Sequence, residues 1–328
     1  MKRSLLVYVV AMLMGLSLVA GSPALAEYPV KPITLVAPYG PGGASDLAAR
    51  TLATVAHVYL GEPVLTINKA GAGGAVGSAY VSKARNDGYT LLLARIGCNA
   101  ILPAINPNIP YKWNDFTILG MLELNPYVFV VHADSDIKSL DDLVAALKDT
   151  SKKMAYSTSG PSTILNFGPQ LLFDIAGLAK DAATMLPYKG GGQAAAALLG
   201  KHVDFLGVNL SSVLGQVQAG QLRAIAVTTP ERYPAIADVP TASESGYPGL
   251  EVISGWSALF APPNMDKAAA DKWAEALQKV KADKSWNGMT KKLGSIPHIT
   301  TAEEAKAFVG KQYETFHKLA VKLNLIVQ

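Results

Sequence analysis

Three glycine-rich stretches carry most of the chemistry this sequence offers. Gly40-Pro41-Gly42-Gly43-Ala44-Ser45 follows an apolar run, and Ser157-Thr158-Ser159-Gly160-Pro161-Ser162-Thr163 follows another. Gly190-Gly191-Gly192-Gln193 opens a third helical pattern. Glycine lets a backbone approach a ligand closely. The first N–H groups of a helix have no internal acceptor, and the helix dipole is positive there. A helix start of this kind therefore holds a carboxylate or phosphate without Lys or Arg. Hydroxyls at Ser45, Thr158, Ser159, Ser162 and Thr163 add short donors. One such loop alone is more simply a capped tight turn. Two of them on opposite walls of a cleft would grip the two ends of one anion.

Other constellations are weak. Gly71-Ala72-Gly73-Gly74-Ala75-Val76-Gly77 has Val76 where the dinucleotide fingerprint needs its last glycine, and reads better as a loop leading into a helix. The histidines, His57, His132, His202, His298 and His317, show no metal-ligand spacing. There is no G-x-S-x-G elbow. Cys98 is the single cysteine, so an internal disulfide is excluded; it is a candidate nucleophile, but a buried small hydrophobe is the commoner fate. No cofactor or metal is expected.

The elements that must position these loops alternate between strand and helix. Ile33–Ala37, Val64–Asn68 and Tyr89–Leu93 read as buried strands, with helices over about 45–60 and up to Ala84. Ser45 and Asp46 are suited to cap the first of those helices. An apolar run over 116–131 is interrupted by Asn125-Pro126. A second series follows: a helix from Ser139, a strand over 154–157, a helix to Ala176, then strands over 203–208 and 225–228. From Asp266 the chain is mostly amphipathic helix. Two βα series, with the chain passing from one to the other and back, predict two lobes with parallel sheets. The expected division is 27–122 plus 230–328 for lobe one and 123–229 for lobe two. In open α/β sheets ligands bind beyond the carboxyl ends of the strands, where the glycine loops lie.

Composition bounds the rest. Lys2 and Arg3, an apolar run from Leu5 to Ala20 and small residues ending at Ala26 form a secretory signal, with cleavage expected after Ala26. About 300 residues remain, enough for two lobes held by their cores. The formal charge is +4, two units of it in the signal, and the other Lys and Arg are scattered. That argues against nucleic acid, which needs a basic patch or stripe.

The chain resembles the substrate-binding receptors of tripartite tricarboxylate transporters, the Bug or TctC-like family. The resemblance runs from about Tyr28 to the C-terminus. It rests on Tyr28-Pro29-Val30-Lys31-Pro32-Ile33, on 36–46 from Val36-Ala37-Pro38-Tyr39 to Ser45-Asp46, on Asn68-Lys69-Ala70-Gly71-Ala72-Gly73-Gly74 with Asn86-Asp87-Gly88-Tyr89-Thr90-Leu91-Leu92, and on Pro187-Tyr188-Lys189-Gly190, Val203-Asp204 and 219–228. It implies an α/β, two-lobed periplasmic-binding-protein (Venus-flytrap) fold of type II, without catalytic activity. It also implies a periplasmic monomer that closes on a small organic carboxylate and delivers it to integral membrane transporter subunits. The ligand contacts expected are Tyr39, Gly40, Gly42, Gly43, Ala44, Ser45 and Asp46 on the first loop, and Arg95, Cys98 and Asn99 after the third strand. Thr158, Ser159, Gly160, Ser162, Thr163 and Asn166 are expected on the second loop, with Gly190 and Asn209 completing the set. The chain departs from the family where Ser162, Thr163 and Asn166 replace the usual Gly, Ser and His, and where Pro169 falls inside a helix. Arg95 stands where small or hydroxyl residues are usual. It either grips a second carboxylate, making the ligand a dicarboxylate, or leans out to solvent or pairs locally. The competing functions are a ligand sensor of the same fold and an exported α/β hydrolase. The hydrolase would need a histidine within reach of Ser45, Ser159, Ser162 or Cys98.

Overall fold

The computed structural model describes residues 27–327; the expected signal segment lies outside them. In chain order the strands are β1 Ile33–Ala37, β2 Val64–Asn68, β3 Thr90–Arg95, β4 Thr117–Asn125, β5 Tyr127–His132, β6 Ala155–Thr158, β7 Thr184–Pro187, β8 Phe205–Asn209, β9 Leu222–Val227, β10 Gly255–Ala261 and β11 Ile296–Pro297. The helices are α1 Ala44–Leu60, α2 Ala75–Ser82, α3 Leu102–Ile105, α4 Leu140–Lys148, α5 Ile164–Ile175, α6 Gly191–Leu199, α7 Leu214–Gln218, α8 Lys267–Ala282, α9 Lys284–Lys292 and α10 Ala302–Lys322. Helix α5 runs on through Pro169.

Two sheets form. One has the order β11-β4-β10-β3-β1-β2, the other β7-β6-β8-β5-β9. Both are mixed, not parallel as the sequence predicts. β10 runs antiparallel to β3 and β4, and β5 antiparallel to β8 and β9. The reason is the crossing between sheets. At Asn125-Pro126-Tyr127 the chain leaves β4 in one sheet and enters β5 in the other. Proline has no N–H to continue a ladder, so the pairing must break there.

Two apolar clusters hold the sheets. Leu52, Leu91, Leu93, Trp273 and Trp286 pack between the first sheet and helices α1, α8 and α9. The larger cluster holds Tyr127, Phe129, Tyr156 and Phe205 of the second sheet together with Trp256, Phe260 and Phe316. Phe316 on α10 meets Phe167 on α5 edge-on at 5.5 Å, so the C-terminal helix joins one lobe's core to the other's.

Candidate functional site

The way the helices begin separates them into two kinds. Helices α4, α8, α9 and α10 start at Ser139, Asp266, Asp283 and Thr301, and each of these side chains accepts a first-turn N–H. The other six have no side-chain cap; among them are α1, α5 and α6, which start at Gly43, Thr163 and Gly190. Ser45 and Asp46 therefore do not cap α1; they lie inside its first turn. Of these six, the starts of α1, α5 and α6 meet in one cavity of about 40 Å³ between the two sheets, walled by Gly43, Ala44 and Ser45, by Thr163, Ile164 and Leu165, and by Gly191. That is room for about three waters at ~10–15 Å³ each. The Ser45 hydroxyl is buried there without a hydrogen-bond partner. Dipoles and free N–H groups from three helices converge on one small space, which suits a single anionic head.

The lobes are in contact around it. The Gly40 N–H donates to the Lys189 carbonyl at 2.9 Å. The Ala44 N–H donates to the Ser212 hydroxyl at 3.0 Å. A Cβ on Gly43 would lie 3.0 Å from the Gly192 nitrogen, and one on Gly190 would lie 3.0 Å from the Gly40 nitrogen. Neither glycine has a left-handed φ, at −96° and 169°. Their lack of a side chain serves close approach of the lobes and not a turn. Gly42, with φ 76°, is the turn residue.

Arg95 faces the cavity but is not a free cation. Its Nη1 donates to Glu123 Oε1 at 3.2 Å and to the Ser257 hydroxyl at 2.6 Å, and its Nη2 donates to Asn209 Oδ1 at 2.8 Å. Ser257 in turn donates to Glu123 Oε1 at 2.8 Å. Arg95 and Glu123 are 4% and 2% exposed, so each is the other's counter-ion. Of the readings open for Arg95, the structure shows local pairing: a buried ion pair with Glu123 that also reaches Asn209 across the lobes.

Several expected contacts stand behind the wall. The Asp46 carboxylate accepts from the Gly42 N–H, Arg50 and Asn68 at about 3 Å. Burial pulls that carboxyl upward, but these hydrogen bonds outweigh it and hold it below its ordinary range. Asp46 therefore shapes the first loop. Cys98 donates to Asn99 Oδ1 at 3.0 Å, and burial pushes its thiol up. Asn99 also accepts from the Arg95 N–H. Thr158 bonds within its own loop, to Gly160. Asn166 accepts from Tyr156 at 2.6 Å and donates to the Pro161 carbonyl at 2.8 Å. None of these five side chains, Asp46, Cys98, Asn99, Thr158 and Asn166, walls the cavity. Ile96, Gly97, Ser212 and Gly191 do. Of these, only Gly191 lies in a stretch that the sequence marks.

A larger groove of about 700 Å³ opens beside the cavity, and the two share Tyr39 and Ser159 as walls. Gly71–Gly74 form one bank, and Gly160, Pro161, Ser162 and Tyr188 the other. Tyr39 is fixed by donating its hydroxyl to the Gly73 carbonyl at 2.8 Å. Among the described residues no histidine walls the cavity or the groove.

Comparison with known proteins shows the family and the fold. The family described as "Tripartite tricarboxylate transporter family receptor" matches residues 48–325. Protein BugT of Bordetella pertussis is 32% identical over 317 residues, covering 96% of each chain. A UPF0065 protein of Agrobacterium vitis is 36% identical over 272 residues, 83% of this chain and 77% of that one. The solved periplasmic binding protein BugD is 30% identical and superposes with a TM-score of 0.87 over 92% of this chain and all of its own.

Proposed function

This chain belongs to the tripartite tricarboxylate transporter receptor family, and from that premise we propose that it is an exported receptor that closes two lobes on a small organic carboxylate and hands it to membrane transporter subunits. The observation that carries the proposal is the set of three uncapped helix starts, one on the first lobe and two on the second, around a cavity holding an unpartnered buried hydroxyl, Ser45. An isolated buried polar group is costly unless it is hydrogen-bonded, so a partner that accepts from it is favoured. The proposal takes the lobes as 27–122 with 230–328, and 123–229, with residues 1–26 directing export to the periplasm. The receptor works as a monomer and without a cofactor.

The pincers are the first turns of α1 and α5. The free N–H groups are those of Ser45 and Asp46 on α1, Ile164 and Leu165 on α5, and Gly191 to Gln193 on α6. Helix-start N–H groups favour an ionised carboxylate over the neutral acid or an amide. The hydrolase alternative is disfavoured because no histidine walls the site to activate a serine. A sensor of the same fold would share the cleft and differ only in its membrane partner. Thermal-shift screening of carboxylates, amino acids and aromatic acids, followed by calorimetry of each hit against its carboxamide, tests the reading. A rise in melting temperature for carboxylates supports it, because binding to the native state stabilises it. Equal affinity for acid and amide would contradict it.

A further inference from the structure

We infer that the preferred occupant is a monocarboxylate with an apolar body, its carboxylate in the small cavity between the helix starts and its body in the adjoining groove, and not a short dicarboxylate. This rests on the reading of the cleft as a carboxylate site. The first observation is charge. Among the described residues Arg95 is the single Lys or Arg in the cavity wall, and Glu123 neutralises it from behind. The helix starts supply partial charges that suit one carboxylate. A second carboxylate inside the closed cleft would find no net positive charge, and an unpaired buried charge is expelled or protonated. Among the described residues Lys189 is the only cation on the groove, and it is exposed, where an ion pair contributes little.

The second observation is space. About 40 Å³ holds a carboxylate and little more, so in this closed arrangement the rest of any larger acid must leave the cavity. The way out along the shared walls Tyr39 and Ser159 leads to the 700 Å³ groove. The groove is floored by Leu102 and Ile105, with Pro161, Tyr188, Leu325 and Val327 around it. Val327 is 43% exposed, and its N–H is tied to the Ile105 carbonyl at 2.8 Å, which holds the C-terminal tail against the groove. An apolar side chain held half-exposed beside a cleft is a surface that an apolar body would cover.

Calorimetric titration of the purified protein with straight-chain monocarboxylates from propionate to octanoate, and with the α,ω-dicarboxylates of equal length, tests this. Affinity should rise about fourfold per methylene, the equivalent of ~0.8 kcal/mol for burying one CH₂. Each monocarboxylate should bind at least tenfold tighter than its matched diacid. Val327→Asp should remove several-fold of the gain for octanoate and leave propionate unchanged. Glu123→Gln keeps the acceptor for Ser257 and Arg95 but frees the Arg95 charge, so it should raise diacid affinity at least tenfold relative to the monoacid. A flat chain-length series, or diacids binding tighter than monoacids in the unmodified protein, would overturn the inference and leave the carboxylate reading standing. Binding of neither series would sink both.

Discussion

Gly43→Val separates closure from folding. Gly43 has φ −96°, which any residue adopts, so the first loop accepts a side chain without backbone strain. The obstacle lies across the cleft. Its Cβ would sit 3.0 Å from the Gly192 nitrogen and 3.1 Å from the Gly191 nitrogen, both backbone atoms that cannot rotate away. A single methyl forces the lobes apart by a few tenths of an ångström, and a branched side chain by more. A ligand held by α1 alone loses the donors of α5 and α6. Two lost hydrogen bonds to a charged group, at ~1.5–3 kcal/mol each, amount to roughly 10²- to 10⁴-fold in affinity. Calorimetry with a bound carboxylate reads the loss, and the thermal melting of the unliganded variant checks the fold. Gly42→Ala is the control. With φ 76° and nothing within 4 Å of its Cβ, it should cost about 1–2 kcal/mol of stability and leave closure free. A folded Gly43→Val variant with undiminished affinity would refute the closed cleft as the binding state.

Three further outcomes follow from the same geometry. Arg95→Ala should lower stability by about 3–5 kcal/mol, because Glu123 is left buried and unpaired; Arg95→Met with Glu123→Leu should recover most of it in denaturant titration, and a mild single variant would contradict the buried pair. The Cys98 thiol should resist a disulfide-exchange reagent in the folded protein and react at once in denaturant, since it is fully buried and its thiol is pushed up. The Asp46 carboxyl is held low, so its contribution to stability is complete above its unfolded value of about 3.9 and lost as pH falls through its lower folded value. Asp46→Asn should therefore lose stability near neutral pH and show a shallower acid transition, with identical acid transitions as the contrary result.

Much of the frame is legible in the sequence because local signals and tertiary roles agree there. Strands β1 and β2 fall on the expected Ile33–Ala37 and Val64–Asn68. The Asn125-Pro126 interruption marks the crossing between sheets. β10 is different. Gly255–Ala261 is buried along its whole length, so it lacks the alternation that marks a half-exposed strand, and nothing local reveals that it runs antiparallel between β3 and β4. The glycine loops and their suitability for an anion are legible in the sequence, but the uncapped start of α1 is not. Ser45 and Asp46 have the chemistry of caps, yet α1 starts without a side-chain cap at Gly43; its Ala44 N–H is taken by Ser212, and those of Ser45 and Asp46 stay free. On the proposed reading a ligand takes the cap's place there, where the local rule fails. Glu123 escaped notice as the partner of Arg95 because a contact 28 residues apart, between β3 and β4, leaves no trace in spacing.

The most direct test is a crystal structure of the protein with a bound carboxylate. The account predicts the carboxylate oxygens within hydrogen-bond distance of the Ser45 hydroxyl and of first-turn N–H groups on both α1 and α5, with the Gly40–Lys189 contact between the lobes retained. A carboxylate bound outside the cleft, or held by one lobe with those helix starts unoccupied, would contradict it.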